Sequence, residues 1–167
     1  HTDATIEVGG GMQAQVRMYG SKRRGEVSPL VVHFHGGAFV AGSLDNGCTV
    51  GSSLAAAGAC VVSVAYPLAP EHPFPRPLEL GYAVLQWAYR QRTRLAGKGA
   101  PLYLAGEEAG ANLAAGVCMM ARDQLQPPLA GQILISPMLD PCAATPSQRA
   151  AQGESVQCKW ASGWCQY

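Results

Sequence analysis

Charge is the scarcest ingredient of this 167-residue chain. Lys, Arg, Asp and Glu together make 14% of it, against ~25% in an ordinary soluble domain. The 12 basic and 11 acidic residues leave a net charge of +1. That gives no surplus to neutralise a phosphate backbone and excludes an electrostatic nucleic-acid binder. Long hydrophobic runs are missing too: none approaches the ~20 apolar residues of a membrane span. No signal peptide is visible, and the chain opens on His1 and not on Met, so a cytoplasmic location is only a default. The six cysteines (Cys48, Cys60, Cys118, Cys142, Cys158 and Cys165) include no C-x-x-C pair, which excludes a zinc ribbon or thioredoxin-type site. Cys60 and Cys118 lie in apolar runs and read as small buried hydrophobes, while Cys158 and Cys165 read as reduced. No histidine follows His72.

What is abundant is apolar surface and chain-bending residues. Apolar residues are 48%, with 20 Gly and 12 Pro. Such apolar content without a Gly-X-Y repeat excludes a disordered or collagen-like chain, and the length suffices to bury a core. Thr2–Val8 and Gln13–Tyr19, either side of Gly9-Gly10-Gly11, read as a hairpin. Pro29–Phe34 and Ala59–Val64 are short, nearly continuous apolar runs, the signature of strands buried on both faces; Leu102–Ala105 is a third short apolar strand and Gly131–Ile135 a fourth strand. Between them Cys48–Ala57, Leu78–Leu95 and Ala111–Arg122 read as helices. Strands alternating with helices imply βαβ crossovers and a mostly parallel sheet of about six strands. After Asp140 the pattern dissolves. The expected organisation is therefore an α/β core over residues 1–140, followed by a loop and further segment over 141–167.

In parallel sheets ligands gather at the carboxyl ends of the strands, which singles out three segments. His35-Gly36-Gly37-Ala38-Phe39 follows the first buried strand, and its glycines allow backbone N–H groups close to a ligand. Tyr66–Pro75 follows the second, its shape fixed by prolines; within it Glu71 and His72 read as structural or surface residues. Gly106-Glu107-Glu108-Ala109-Gly110 joins the third strand to a helix. This is the strand–turn–helix setting of a nucleophile elbow, G-x-S-x-G, with Glu108 where the elbow carries Ser.

Together these segments resemble the hormone-sensitive-lipase family of α/β-hydrolases. His35–Ser43 is similar to its HGGGFV-x-GS segment and Tyr66–Pro75 to Y-R-L-A-P-E-H-P-F-P. Leu104–Ala114 is similar to L-A-G-D-S-A-G-G-N-L-A, and Ile135–Asp140 to the strand after the elbow helix. The resemblance implies a carboxylic ester hydrolase acting without metal or cofactor on a small ester or apolar ligand. Its oxyanion hole is implied at the backbone of Gly36, Gly37, Ala38 and Ala109, with His35, Gly106, Glu107 and Gly110 supporting the loop and elbow. His35 orients the loop and is not the base.

Position 108 is the departure. A serine hydroxyl attacks an ester once a histidine takes its proton, and Glu108 has no hydroxyl. The family's acid and base follow the nucleophile. Asp140 ends a strand too early to be that acid, Asp123 reads as helix surface, and no histidine remains to be the base. The expectation is a chain that stops before the acid and base, begins after the family's N-terminal cap helices, and does not hydrolyse esters by itself. A carboxylate nucleophile is conceivable, since other α/β-hydrolases use Asp there, but Glu is one methylene longer and lacks a base to release the intermediate. A non-catalytic ligand-binding relative is the alternative, as is a half-protein completed by another chain, or by self-association, at an exposed sheet edge around Gly131–Ile135. At a helix N-terminus the Glu108 carboxylate is expected to turn into the oxyanion pocket, opposed by the like charge of Glu107.

Overall fold

The computed structural model describes residues 1–22, 25–139 and 146. Six strands form one sheet: β1 (Thr2–Gly9), β2 (Met12–Tyr19), β3 (Leu30–Phe34), β4 (Cys60–Ala65), β5 (Leu102–Glu107) and β6 (Gly131–Ile135). Three helices connect them: α1 (Cys48–Ala56), α2 (Arg76–Leu95) and α3 (Ala109–Asp123). The sheet order is β1-β2-β4-β3-β5-β6. The first three strands in that order pair antiparallel; β4-β3, β3-β5 and β5-β6 pair parallel.

Burial follows from this order. Every residue of β3 is buried, because it is flanked by β4 and β5 and packed against by α2 and α3. The main core joins Leu30, Val32 and Phe34 of β3 to Val62 and Val64 of β4, Leu104 of β5 and Val84 and Leu85 of α2. Pro77 sits in the first turn of α2, where its missing N–H has no intrahelical partner to lose. Arg92 and Arg94 in its last turn complement the helix dipole. Cys60 is buried as expected, whereas Cys118 is only partly so, since it lies on the flank of α3. Asp140, Cys142, Cys158, Cys165 and almost all of the expected 141–167 segment lie outside the described residues. Among the described residues no helix is long and apolar enough to cross a membrane.

β5 and the helix after it come closer together than their glycines suggest. β5 runs on through Gly106 to Glu107 and α3 begins at Ala109, so Glu108 alone makes the turn expected to span Gly106–Gly110. Glycine is required at both ends by contact. A Cβ on Gly110 would overlap the carbonyl oxygens of Phe34 and His35, and one on Gly106 would overlap the Gly110 carbonyl. Gly116, further along α3, meets only the end of the Leu78 side chain, at 3.1 Å. Gly110→Ala is therefore expected to destabilise the fold by about 3 kcal/mol. Gly116→Ala should be neutral or stabilising by under about 1 kcal/mol. Urea unfolding of the two variants beside the parent measures the contrast.

Candidate active site

Three strand ends build the site. The parallel register sets His33 of β3 between Ser63 of β4 and Ala105 of β5. Glu107 lies two residues beyond Ala105, on the same face. His33 is fully buried, with Nδ1 at 2.9 Å from Ser63 Oγ and Nε2 at 2.6 Å from Glu107 Oε2. An ionised carboxylate only accepts, so Nε2 carries the proton. This chain of three side chains ties three neighbouring strands at their carboxyl ends. His33 and Ser63 were not among the residues singled out from the sequence. The available signal was a polar side chain in each of two otherwise apolar strands, which buried pairing explains.

Beyond Phe34 the chain leaves the sheet. His35 is buried; its Nδ1–H donates to the Gly36 carbonyl at 2.7 Å and its ring stacks on Tyr66 with centroids 4.4 Å apart. The Tyr66 hydroxyl donates to the His35 carbonyl at 2.7 Å. Burial pushes that hydroxyl well above the ordinary tyrosine range, helped by the charges of Glu107 and Glu108. The loop then passes through two non-glycine residues with left-handed backbone, Ala38 at φ 54° and Phe39 at φ 64°. Such conformations cost roughly 1–2 kcal/mol per residue and persist where the surroundings fix them. Here the Val40 and Ala41 N–H groups both donate to the Gly37 carbonyl, and the Ala69 N–H to the Phe39 carbonyl.

Glu108 has φ 58° and ψ −115°, a strained conformation for a side-chain-bearing residue. Its backbone is clamped. The N–H donates to the Ile135 carbonyl at 2.9 Å, and the carbonyl accepts from the N–H groups of Asn112 and Met138, each at 3.2 Å. Asn112 Nδ2 donates in turn to the Met138 carbonyl at 2.7 Å. The carboxylate turns toward the loop, and Oε2 accepts the Gly37 N–H at 2.7 Å, a charge-assisted bond. Gly36 leaves room for it, since a Cβ there would stand 2.7 Å from the same oxygen. Ala109 opens α3 and is buried, so its N–H has no intrahelical acceptor.

The fold thus gathers Gly36 and Gly37 around the Glu108 side chain, with Ala38 next along the loop and Ala109 next along the chain. Glu107 is held by His33, Gly106 and Gly110 pack together, and His35 lies under the loop. Asp123 stands at the far end of α3, about 22 Å along the helix, exposed and paired with Arg122. Glu71 and His72 are exposed. His72 nevertheless lines an apolar pocket of about 220 Å³ beside the loop, together with Ala38, Phe39, Phe74, Leu113 and Asn112.

One titration in this site has a determined sign. Burial holds the His35 imidazole below its ordinary 6.5, against the smaller opposing pull of the Gly36 carbonyl and the Glu107 charge. The unfolded chain then binds a proton there that the folded chain refuses. This contribution to stability is full above about pH 6.5 and is lost as pH falls through the lower folded-state value. Thermal melts between about pH 7.5 and 5 should show the melting temperature falling with pH, with a shallower slope in His35→Gln.

Comparison with known proteins agrees with this fold. Residues 31–166 match the family model described as alpha/beta hydrolase fold. A carboxylesterase of Mycobacterium tuberculosis is 37% identical over 136 residues, which cover 81% of this chain and 43% of that protein. Human hormone-sensitive lipase is 42% identical over 93 residues, 55% of this chain and 9% of the lipase. The structure of an esterase from the archaeon Pyrobaculum calidifontis superposes with a TM-score of 0.83 at 34% identity, covering 97% of this chain and 55% of that one. The chain spans about half the length of that carboxylesterase and that esterase. It belongs to the α/β-hydrolase fold family, among carboxylesterase and hormone-sensitive-lipase relatives.

Proposed function

We propose that this chain carries the oxyanion loop and elbow of a carboxylic ester hydrolase with the attacking position closed, so that these 167 residues bind a small apolar or ester-like molecule without hydrolysing it. The observation that carries the reading is the bond from the Gly37 N–H to the Glu108 carboxylate. A substrate carbonyl polarised by that N–H would have to displace a charged acceptor with a neutral one, and a charge-assisted bond is roughly twice as strong. Gly37, Ala38 and Ala109 are the donors assigned to the oxyanion hole, with Gly36 beside them; Glu108 holds the nucleophile position.

The chemistry also lacks a base at position 108. His33 is committed to Ser63 and Glu107, His35 donates to the Gly36 carbonyl, and His72 precedes the elbow in an exposed loop. A triad in the chain order Ser, Asp, His carries its histidine after the elbow, and none of the four histidines of these 167 residues follows position 108. Restoring the hydroxyl alone therefore should not restore turnover, because the hydroxyl is a weak nucleophile without a neighbouring base. The β6 edge favours a second reading, a site completed by another chain: Ile133 and Ile135 are 37% and 40% exposed on a strand that is outermost among the described residues.

With p-nitrophenyl butyrate, both the parent and Glu108→Ser are expected to stay at the buffer rate. Parent turnover above that rate, abolished in Glu108→Gln, would contradict the proposal and restore a carboxylate nucleophile.

A further inference from the structure

Charge is scarce in this chain, yet four unpaired cations collect at one end of it. Arg17 and Arg122 are paired with carboxylates. Lys22, Arg92, Arg94 and Lys98 are not: among the described residues no Asp or Glu oxygen comes within 4 Å of them. They belong to two segments that touch. Lys22 Nζ donates to the Thr93 carbonyl at 3.0 Å, and the Ser28 N–H to the Ala96 carbonyl at 2.9 Å. The loop before β3 therefore lies against the last turn of α2. Lys22, Arg94 and Lys98 are exposed. Arg92 is half-buried, with its guanidinium 4.6 Å over the Tyr89 ring.

The helix end accounts for part of this cluster. Carbonyls of a last helical turn have no intrahelical donor and favour nearby cations, and Lys22 meets one of them. Lys98 lies past the helix end. The acidic residue between Gly20 and Pro29 is Glu26, and it pairs with none of the four. Beside the cations, Val27 is 54% exposed. Its Cγ2 stands 3.1 Å from where a Cβ on Gly97 would be, next to Lys98. The helix is 20 residues long, about 30 Å. Its first turn carries Pro77 and Leu78 of the apolar pocket, and its last turn carries this patch.

We infer that this end of the molecule docks on an anionic lipid bilayer, with the four cations facing the headgroups and Val27 entering the interface. A bilayer satisfies both parts of the patch. Its anionic headgroups attract Lys and Arg, each roughly fivefold in partitioning, and its interface accepts an exposed apolar side chain. The phosphate backbone of a nucleic acid uses only the charge. Peptide recognition by strand addition or in a groove finds neither feature here, since the patch is a helix end and a loop. The pocket, at the other end of α2, stays clear of the contact.

Flotation with lipid vesicles tests the assignment. At low ionic strength the 167-residue protein is expected to float with an equimolar mixture of phosphatidylserine and phosphatidylcholine. With phosphatidylcholine alone it should stay behind, and salt at about 1 M, where the Debye length is about 3 Å, should release it. Arg94→Gln combined with Lys98→Gln removes two exposed charges and should weaken binding about 25-fold. Arg94→Lys combined with Lys98→Arg keeps the charge and should bind as the parent does. So should Arg122→Gln, on α3. Val27→Ser should weaken binding severalfold and leave its salt dependence unchanged. Equal binding to both vesicles, no binding to either, or binding indifferent to the double Gln variant overturns the proposal. Duplex DNA bound more tightly than the anionic vesicles, and lost in the same variant, would reassign the patch to nucleic acid. Polyglutamate bound more tightly than the vesicles, and indifferent to Val27→Ser, would reassign it to an acidic protein.

Discussion

The approach of α3 to the end of β3 is the constraint on which the site depends. No Cβ fits at Gly110 between the helix and the carbonyls of Phe34 and His35, and none fits at Gly106 against Gly110. With both glycines in place, the chain turns from strand to helix on one residue. That residue must take the strained backbone seen at Glu108 and point its side chain at whatever lies beyond β3. What lies there is the Gly36–Gly37 turn, whose N–H is open to an acceptor. The turn presents a carboxylate there, and the carboxylate finds the donor.

Charge sets the roles of the two glutamates at this turn. Adjacent carboxylates repel, and the fold gives each a different partner. His33, reaching across from β3 to Glu107 and Ser63, hydrogen-bonds one. The Gly37 N–H and the start of α3 favour charge on the other. Removing His33 would take a hydrogen-bond partner from both Ser63 and Glu107, which costs stability where the group left behind is buried. His33 therefore supports the elbow indirectly, by fixing where the Glu107 carboxylate stands.

Much of this was legible in the residues, for identifiable reasons. The apolar runs around Val31 and Val62 marked strands buried on both faces and that around Leu104 a further strand, and all three lie inside the sheet. The Gly-rich and Pro-rich segments fell at strand ends, as parallel sheets require. The sheet order did not follow from pattern: nothing local says that β4 sits between β2 and β3. The elbow was read as a five-residue turn because glycines punctuate sequence, whereas here they permit packing and strand and helix almost meet. The His33–Glu107 pair needed the register of three strands, which no single segment encodes. The clamp on the Glu108 backbone needed Met138 and Asn112 to meet from either side of β6.

The central claim is that the Glu108 carboxylate holds the Gly37 N–H. The proton chemical shift of the Gly37 amide in the parent and in Glu108→Gln tests it most directly. A charge-assisted bond of 2.7 Å predicts a strongly downfield Gly37 amide that moves upfield when the acceptor becomes a neutral amide. An ordinary Gly37 shift, the same in both proteins, would contradict the account.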